Sequence, residues 1–131
     1  MSNTRRTAIC FALIRILPIV AGLGAVGVAS AQEVPRSFVA SPTIYRVASQ
    51  SDKCLVIEVV WKPGERDKFH SDPAAGTYFL TPCHLRWYYP EGRTRDINVP
   101  AGTWLAQKPV ASHSIQNMSY SECKLVMFEP K

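Results

Sequence analysis

Two side chains that can bind a metal ion, His70 and Asp72, stand two residues apart in the middle of the chain. They follow a turn around Pro63-Gly64 and precede an aromatic stretch that begins at Thr77. Because side chains alternate between the two faces of a strand, residues at i and i+2 point to the same face. An imidazole and a carboxylate on one face can bind a divalent ion together. The spacing therefore predicts half of a metal site.

A second interpretation of the same residues involves no metal. Asp72-Pro73 is a turn dipeptide, and its carboxylate can accept backbone hydrogen bonds. His70 can equally be a polar residue at the mouth of a barrel. Both interpretations stay open here, with metal binding preferred.

The segments that must position these residues have the composition of short strands. From residue 43 onward, runs rich in β-branched and aromatic residues are separated by turn signals such as Lys62-Pro63-Gly64. The predicted strands are 43–47, 54–61, 68–72, 77–81, 84–89, 94–99, 103–105, 112–117 and 123–129. Beyond the N-terminus no run keeps a period of 3.6 residues, and ten prolines disfavour long helices. This pattern predicts an all-β sandwich or barrel.

Alternation within two strands assigns the other two histidines to opposite environments. In 112–117, His113 shares a face with Ile115 and Asn117, so it is predicted to point inward. In 84–89, His84 shares a face with Arg86, so it is predicted to be solvated.

The N-terminus has the features of an export signal. Arg5, Arg6 and Arg15 form a basic region, residues 16–28 are uncharged and mostly apolar, and Ala29-Ser30-Ala31 is a small-residue cleavage signature. The uncharged stretch is shorter than the roughly 20 residues that a spanning helix needs. We therefore expect a periplasmic or secreted protein. The predicted organisation is a signal peptide at 1–31, an N-terminal arm at 32–42 and a single β-barrel domain at 43–131.

Charge and cysteine content narrow the classes of function. The formal net charge is +5, but after residue 31 twelve basic and ten acidic residues remain, a net charge of +2. With no basic tail or stripe, nucleic-acid binding has no electrostatic support, and no membrane anchor is expected after cleavage. Cys54, Cys83 and Cys123 also remain, an odd number that allows one internal disulfide and leaves one thiol.

Two blocks about forty residues apart carry a family resemblance. The first is Gly64-x5-His70-x-Asp72, and the second is Gly102-x6-Pro109-x-Ala111-x-His113-x3-Asn117. Together they resemble the two motifs of the cupin superfamily, G-x5-H-x-H-x3,4-E-x6-G and G-x5-P-x-G-x2-H-x3-N. The resemblance implies a small exported cupin with a degenerate first motif, folded as an all-β, cupin-like jelly-roll barrel.

Departures from these motifs define the ligand set that the resemblance implies. Asp72 replaces the second histidine of the first motif, and Thr77 replaces its glutamate. His70 and His113 keep the positions of histidine ligands. The resemblance thus implies a divalent metal, with iron, manganese, zinc and nickel as candidates, held by His70, Asp72 and His113. No other cofactor is expected, and the catalytic residues stay unknown.

The resemblance also implies partners and a disulfide. A cupin of this size is expected to bind a small polar metabolite and to form a homodimer. A jelly roll of this order places the strand that starts at Thr77 antiparallel to the last strand. That arrangement implies a disulfide between Cys83 and Cys123, with Cys54 as the spare thiol.

Two functions therefore stay open. The first is an exported metal-binding cupin that acts on, or senses, a small polar metabolite. The second is a metal-free ligand-binding or structural module that uses the barrel mouth or an edge strand. Glu58 and Glu65 are candidate general bases. Candidates for pocket walls, with ordinary core as the preferred interpretation, are Tyr78, Phe79, Trp87 and Trp104.

Overall fold

The strands begin and end close to the positions that the sequence predicts. The computed structural model describes residues 33–131, so the predicted signal peptide lies outside the described residues. A short helix, α1 (Ser37–Ala40), precedes the strands. The strands are β1 (Tyr45–Gln50), β2 (Cys54–Trp61), β3 (His70–Asp72), β4 (Ala75–Phe79), β5 (Cys83–Tyr88), β6 (Thr94–Val99), β7 (Trp104–Gln107), β8 (Val110–Asn117) and β9 (Cys123–Pro130). Each predicted run overlaps one of them.

The strands form two antiparallel sheets that face each other across the core. The five-stranded sheet has the order β1-β2-β9-β4-β7, and the four-stranded sheet has the order β3-β8-β5-β6. Most neighbours in these sheets come from distant parts of the chain, as in a jelly roll. The prediction of an all-β jelly-roll barrel is confirmed.

The central strands β2 and β9 supply much of the core. They pair along their whole lengths, from Cys54 opposite Pro130 to Trp61 opposite Cys123. Alternate side chains point inward, and those of Ile57 and Val59 are completely buried. Fully burying an aliphatic side chain contributes roughly 1.5–3 kcal/mol. The outer face of β2 is only half-buried, which explains its acidic residue: Glu58 forms an ion pair with Arg46 of β1.

Both motif blocks begin with a glycine because the turns there require one. Gly64 has a φ angle of +73° and Gly102 one of +80°, a region that residues with a Cβ atom rarely adopt. In the first turn, Glu65 N–H donates to the carbonyl of Lys62. In the second, Gly102 N–H donates to the carbonyl of Phe79. The two glycines therefore direct the chain into the segments that carry β3 and β7.

A disulfide between Cys83 and Cys123 joins the two sheets, as the resemblance implies. Cys83 begins β5 in one sheet, and Cys123 begins β9 in the other. Cys54 is the free thiol among the described cysteines. A disulfide of this kind fits a non-reducing compartment. In the part of the chain that the structure describes, no helix is long and apolar enough to cross a membrane.

The described part of the predicted arm packs onto the barrel next to β3. Arg36 forms a parallel bridge with Ser71. Ser71 donates its N–H to the carbonyl of Pro35 at 2.8 Å and its hydroxyl to the carbonyl of Val34 at 3.1 Å. In α1, Ser37 is completely buried. The arm thus acts as a partner of the strand that carries His70 and Asp72.

Candidate metal centre

His70 and His113 meet because their strands are neighbours. β3 pairs with β8, and His70 lies directly opposite His113 in this pairing. The register then shifts, and Asp72 lies opposite Val110. The exposed fractions of His70, His113 and Asp72 are 0 %, 0 % and 5 %. The structure therefore brings together, inside the barrel, the three residues that the sequence singles out.

The donor atoms of these three residues, called the trio below, are spaced to suit one ion. Asp72 Oδ2 is 3.4 Å from His70 Nε2 and 3.4 Å from His113 Nε2. One donor atom from each residue lies within 4.8 Å of the other two. Atoms that are each about 2.1 Å from an ion lie roughly 3.0–3.5 Å apart in octahedral or tetrahedral geometry. Small movements are enough for the trio to enclose a divalent ion.

Several polar atoms of the trio are buried without a hydrogen-bond partner. They are Asp72 Oδ1 and both ring nitrogens of His113. The 3.4 Å approach of His113 Nε2 to Asp72 Oδ2 therefore lacks the geometry of a hydrogen bond. Leaving a buried polar group unsatisfied costs about 1–3 kcal/mol. A cation would satisfy part of this unused bonding capacity, so the residues present fit a metal ion.

The surroundings fix the orientation of both imidazoles. His70 Nδ1 is 2.8 Å from the carbonyl of Lys68. Because a carbonyl only accepts, Nδ1 carries a proton, and in the neutral ring the lone pair is on Nε2, which faces Asp72. The ring of His113 stacks on Trp87, with centroids 4.6 Å apart and planes 12° apart. These contacts hold the two rings where ligands would be needed.

Electrostatic contacts keep Asp72 ionised. Burial raises the pKa of its carboxyl, but contacts with His113 and His70 outweigh burial and hold this pKa well below its ordinary value. Burial lowers the pKa of His70, but Asp72 and Asp67 outweigh it, and the pKa of His70 lies above its ordinary value. A carboxylate is the form of Asp72 that binds metals, and the neutral imidazole is the form of His70 that does so.

The carboxylate of Asp72 faces the two histidines and not the backbone. The alternative interpretation, in which it accepts backbone hydrogen bonds in a turn, is therefore not what the described residues show. Gln107 of β7 donates a hydrogen bond from its Nε2 to Asp72 Oδ2 at 3.4 Å.

Asp67 is a buried neighbour of the trio that no sequence pattern indicates. Its carboxylate accepts hydrogen bonds from the Tyr45 hydroxyl at 2.6 Å, from Trp61 Nε1 at 3.2 Å and from the Ile115 N–H at 2.6 Å. Its Oδ1 is 3.8 Å from His70 Nδ1. Burial raises the pKa of Asp67, although these contacts oppose the increase. In the sequence it lies between two basic residues, in a segment with the composition of a solvated turn.

Glu129 is a second buried acid that the sequence does not indicate. It lies on the inner face of β9 and is completely buried. Arg36 of the arm donates a hydrogen bond to its Oε2, while Oε1 has no partner. Burial raises the pKa of Glu129, and Arg36 only partly offsets this effect. Because its partner comes from the far end of the domain, spacing along the chain carries no signal for this pair.

A cavity of about 430 Å³ adjoins the trio. Asp72 and Thr77 contribute polar groups to its wall. Apolar side chains from both sheets form much of the rest, among them Phe79, Leu85, Trp87, Ile97, Leu125 and Met127. The volume lies within the range of small-molecule sites. Asp72 is the member of the trio that lines the cavity, whereas His70 and His113 are not among its lining residues.

The four aromatic residues predicted as pocket walls or core divide into two pairs. Phe79 and Trp87 line the cavity. Tyr78 and Trp104 instead lie on the outer face of the five-stranded sheet, with ring centroids 4.6 Å apart. Trp104 is 63 % exposed, so neither the pocket-wall nor the core interpretation is right for this residue.

The remaining candidates lie outside the trio. Glu58 points outward to Arg46, and Glu65 accepts the backbone N–H of Lys62 within its turn, so neither is placed to act as a general base. His84 is half-exposed, 3.4 Å from Asp96 Oδ2, which confirms the prediction that it is solvated.

Solved structures of cupins share this architecture. The cupin domain from Bordetella pertussis Tohama I is similar with a TM-score of 0.62 at 22 % identity, over 67 % of this chain and 92 % of that one. An RmlC-like cupin with a double-stranded β-helix fold from Methanocaldococcus jannaschii gives 0.54 at 10 %, over 66 % and 78 %. Fe(II)-HppE with an alternative substrate gives 0.51 at 15 %, over 65 % and 48 %. No family model and no curated protein matches the sequence.

Proposed function

We propose that this chain, whose fold is that of the cupins, binds a divalent metal ion through His70, Asp72 and His113 and a small polar metabolite in the adjoining cavity. The observation that carries the proposal is the convergence of three buried donor groups, two of which have atoms without hydrogen-bond partners. Burying polar or charged groups without bonding partners costs free energy, so these groups are expected to share a ligand. A cation is the ligand that all three can share.

The donor set narrows the choice of ion. Two imidazoles and one carboxylate suit non-haem Fe(II) and leave coordination positions open for a substrate. Manganese, zinc and nickel also accept such ligands. Fe(II)-HppE, whose solved structure is similar to this fold, contains such an ion. When bound, the ion would supply Lewis acidity or, as iron, redox chemistry.

The residues of the chain itself supply orientation and exclusion of water. The carbonyl of Lys68 holds His70 in the orientation that aims Nε2 at the shared position, and Trp87 supports His113. Apolar side chains surround Asp72 in the cavity wall, so a bound ligand would displace water from this carboxylate. Electrostatic interactions with a ligand are stronger there than in solution.

Export is part of the proposal. The disulfide between Cys83 and Cys123 supports a periplasmic or secreted location, because such bonds persist in oxidising compartments. The signal peptide at 1–31 remains a prediction from sequence.

A metal-free binding module is the alternative function, and one observation favours it. Thr77 stands where the resemblance expects a glutamate ligand, so the metal would have three protein ligands and not four. In the metal-free state Asp72 is already flanked by two histidines.

Metal analysis of protein purified without a histidine tag separates the two functions. We expect close to one equivalent of metal in the wild type and in His84→Ala, whose histidine is half-exposed and outside the trio. Metal should be lost in His70→Ala and in His113→Ala, with circular dichroism to show that both variants fold. A wild type that stays metal-free after incubation with Fe(II), Mn(II), Zn(II) and Ni(II) would overturn the proposal.

A further inference from the structure

The cavity has an open end that carries two cationic side chains, Arg95 of β6 and Lys108 of the connection between β7 and β8. Both are exposed to solvent as well as lining the cavity. We propose that the metabolite bound here is a small carboxylic acid with an apolar body, and that Arg95 and Lys108 recognise its carboxylate. This inference rests on the proposed function in one respect, namely that the cavity is the ligand site.

Arg95 faces the cavity because of its register in β6. It lies opposite Trp87 of β5, and two residues later Ile97, another cavity residue, lies opposite Leu85. The intervening Asp96 points to the other face of the sheet. There Asp96 accepts two hydrogen bonds from Arg86, at 2.7 and 2.8 Å. Strand alternation therefore turns the arginine, and not the neighbouring acid, toward the cavity.

Arg95 is also unusual in lacking a partner. The other arginines between residues 33 and 131 form ion pairs with acids or stack on aromatic rings. These are Arg36, Arg46, Arg66, Arg86 and Arg93. Within the same range, neither Arg95 nor Lys108 is ion-paired with an acid. A guanidinium offers a planar fork of donors that matches a carboxylate, so an external anion can supply the partner that the chain does not.

The wall between the open end and the trio favours an apolar ligand body. Trp87 lies opposite Arg95, and its ring stacks on His113. Because β6, β5 and β8 are adjacent, the backbones of Arg95 and His113 lie on strands roughly 10 Å apart. The cavity side chain between them is Trp87, which lies beside Arg95 in β6 and Ile115 in β8. A ligand that reaches from the cations to the trio must therefore cover apolar side chains.

The sign of the charge in the cavity also favours an anion. Arg95, Lys108 and Asp72 are the charged residues that line it, which gives a formal charge of +1. Asp72 is flanked by His70 and His113, and a bound divalent ion would make the cavity more positive still. A net positive charge within apolar walls raises the local concentration of anions.

The inference is tested with probes that differ only in charge. Phenylacetate is paired with phenylacetamide, and hexanoate with hexanamide. Binding is followed by tryptophan fluorescence, because Trp61 and Trp87 line the cavity. Measurements are made in a chelator, so that metal has no influence. We expect at least one acid to bind roughly tenfold or more tightly than its amide, since a charge-assisted hydrogen bond is worth more than a neutral one.

Variants then assign the preference to residues. Arg95→Gln should abolish the preference for the acid, and Lys108→Gln should reduce it. Arg46→Gln is the control, because Arg46 is already paired with Glu58 and does not line the cavity. Equal affinities for acid and amide in both pairs, no saturable binding by any probe, or an unchanged preference in Arg95→Gln would overturn the inference.

Metal content distinguishes this inference from the metal-binding proposal. A wild type that binds metal but shows no preference for acids overturns the inference alone. A wild type that prefers acids but never binds metal overturns the metal site and leaves the carboxylate site in place.

Discussion

His70 makes the stability of the metal-free protein depend on pH. Burial lowers its pKa, but Asp72 and Asp67 raise it above the ordinary value. A group whose pKa is higher in the folded than in the unfolded state stabilises the fold fully below the unfolded pKa, which is about 6.5 for histidine. This contribution is lost as the pH rises through the folded pKa.

His70→Gln should lower the free energy of unfolding. We expect this loss to become smaller as the pH is raised from about 6 to about 9. Urea titrations in a chelator measure it, and comparison with the wild type at each pH cancels the other titrating groups. His84→Gln serves as the control for a half-exposed histidine. A loss that grows with pH would show that His70 is not the coupled group.

Asp67 contributes to stability through its three hydrogen-bond donors. In Asp67→Asn the side chain keeps its shape, but one of its oxygens becomes a donor that faces other donors. We expect a loss of about 1–3 kcal/mol in the free energy of unfolding. Asp52→Asn, in an exposed turn, should change it by no more than about 0.5 kcal/mol. Equal stabilities of the two variants would contradict this role.

The sequence indicates the trio because ligand positions follow simple periods. His70 and Asp72 share a face through the two-residue repeat of a strand, and the resemblance to two motifs adds His113. Asp67 and Glu129 have no such signal. Their burial depends on Tyr45 and Arg36, which approach from other elements, so only the packed structure shows that these acids lie near the trio.

At the scale of elements, the disulfide fastens the start of β9 to the start of β5. The two cysteines are 40 residues apart in sequence. The double variant Cys83→Ala/Cys123→Ala should lose about 3–4 kcal/mol in the chain-entropy model. Urea unfolding measures this loss. Cys54→Ala is the control, and it should cost no more than about 1 kcal/mol. The prediction fails if the double variant is as stable as this control.

The arm is held to the barrel by an ion pair of which one member is completely buried. Side-chain exposure is 38 % for Arg36 and 0 % for Glu129. Arg36→Met leaves the carboxylate unpaired, so we expect a loss of about 3 kcal/mol. Changing Glu129→Met in addition should restore much of that loss, because the unpaired charge is then removed.

The exposed pair between Arg46 and Glu58 provides the control for this prediction. Its side chains are 70 % and 45 % exposed, so Arg46→Met should cost less than about 1 kcal/mol in the same unfolding experiment. If Arg36→Met costs as little as Arg46→Met, the arm does not depend on this ion pair.

The sequence predicts the positions of the strands better than it predicts where the arm packs. Alternating apolar residues and turn signals place all the strands, because both features are local. The arm contains two prolines, Pro35 and Pro42, and no periodic pattern. Its position depends on hydrogen bonds from Ser71, which local sequence does not reveal.

At the scale of the whole molecule, one outer surface carries clustered aromatic rings. Trp104 lies 4.6 Å from Tyr78 and 6.2 Å from Phe128, measured between ring centroids. Exposed apolar clusters of this kind mark interaction sites. We propose that this face joins two copies of the chain in the expected homodimer.

Sedimentation equilibrium should then give twice the mass of the chain for the wild type. Trp104→Glu should give a monomer, because it places a charge within the cluster. Tyr120→Glu is the control, since Tyr120 is fully exposed and should leave the mass unchanged. A monomeric wild type would rule out this interface.

The arrangement of the strands is the part of the fold that physical patterns alone do not supply. Periodicity predicts that strands exist, but the pairing of β2 with β9 joins segments about seventy residues apart. Several barrels and sandwiches are compatible with the same strand list. The resemblance of the two motif blocks to those of the cupins indicates which of these folds the chain adopts. The size of the cavity depends on how the side chains pack, which no sequence pattern describes.

The bridge between Arg36 and Ser71 gives the N-terminal arm an influence on the centre of the barrel. Ser71 lies between His70 and Asp72, so the backbone that docks the arm is the backbone that spaces two donor groups. If docking of the arm strengthens the binding of an ion, binding of the ion must strengthen docking by the same free energy, since linkage is reciprocal. A fluorescent label on the arm would then report whether an ion is bound in the barrel, without a change to any residue of the cavity.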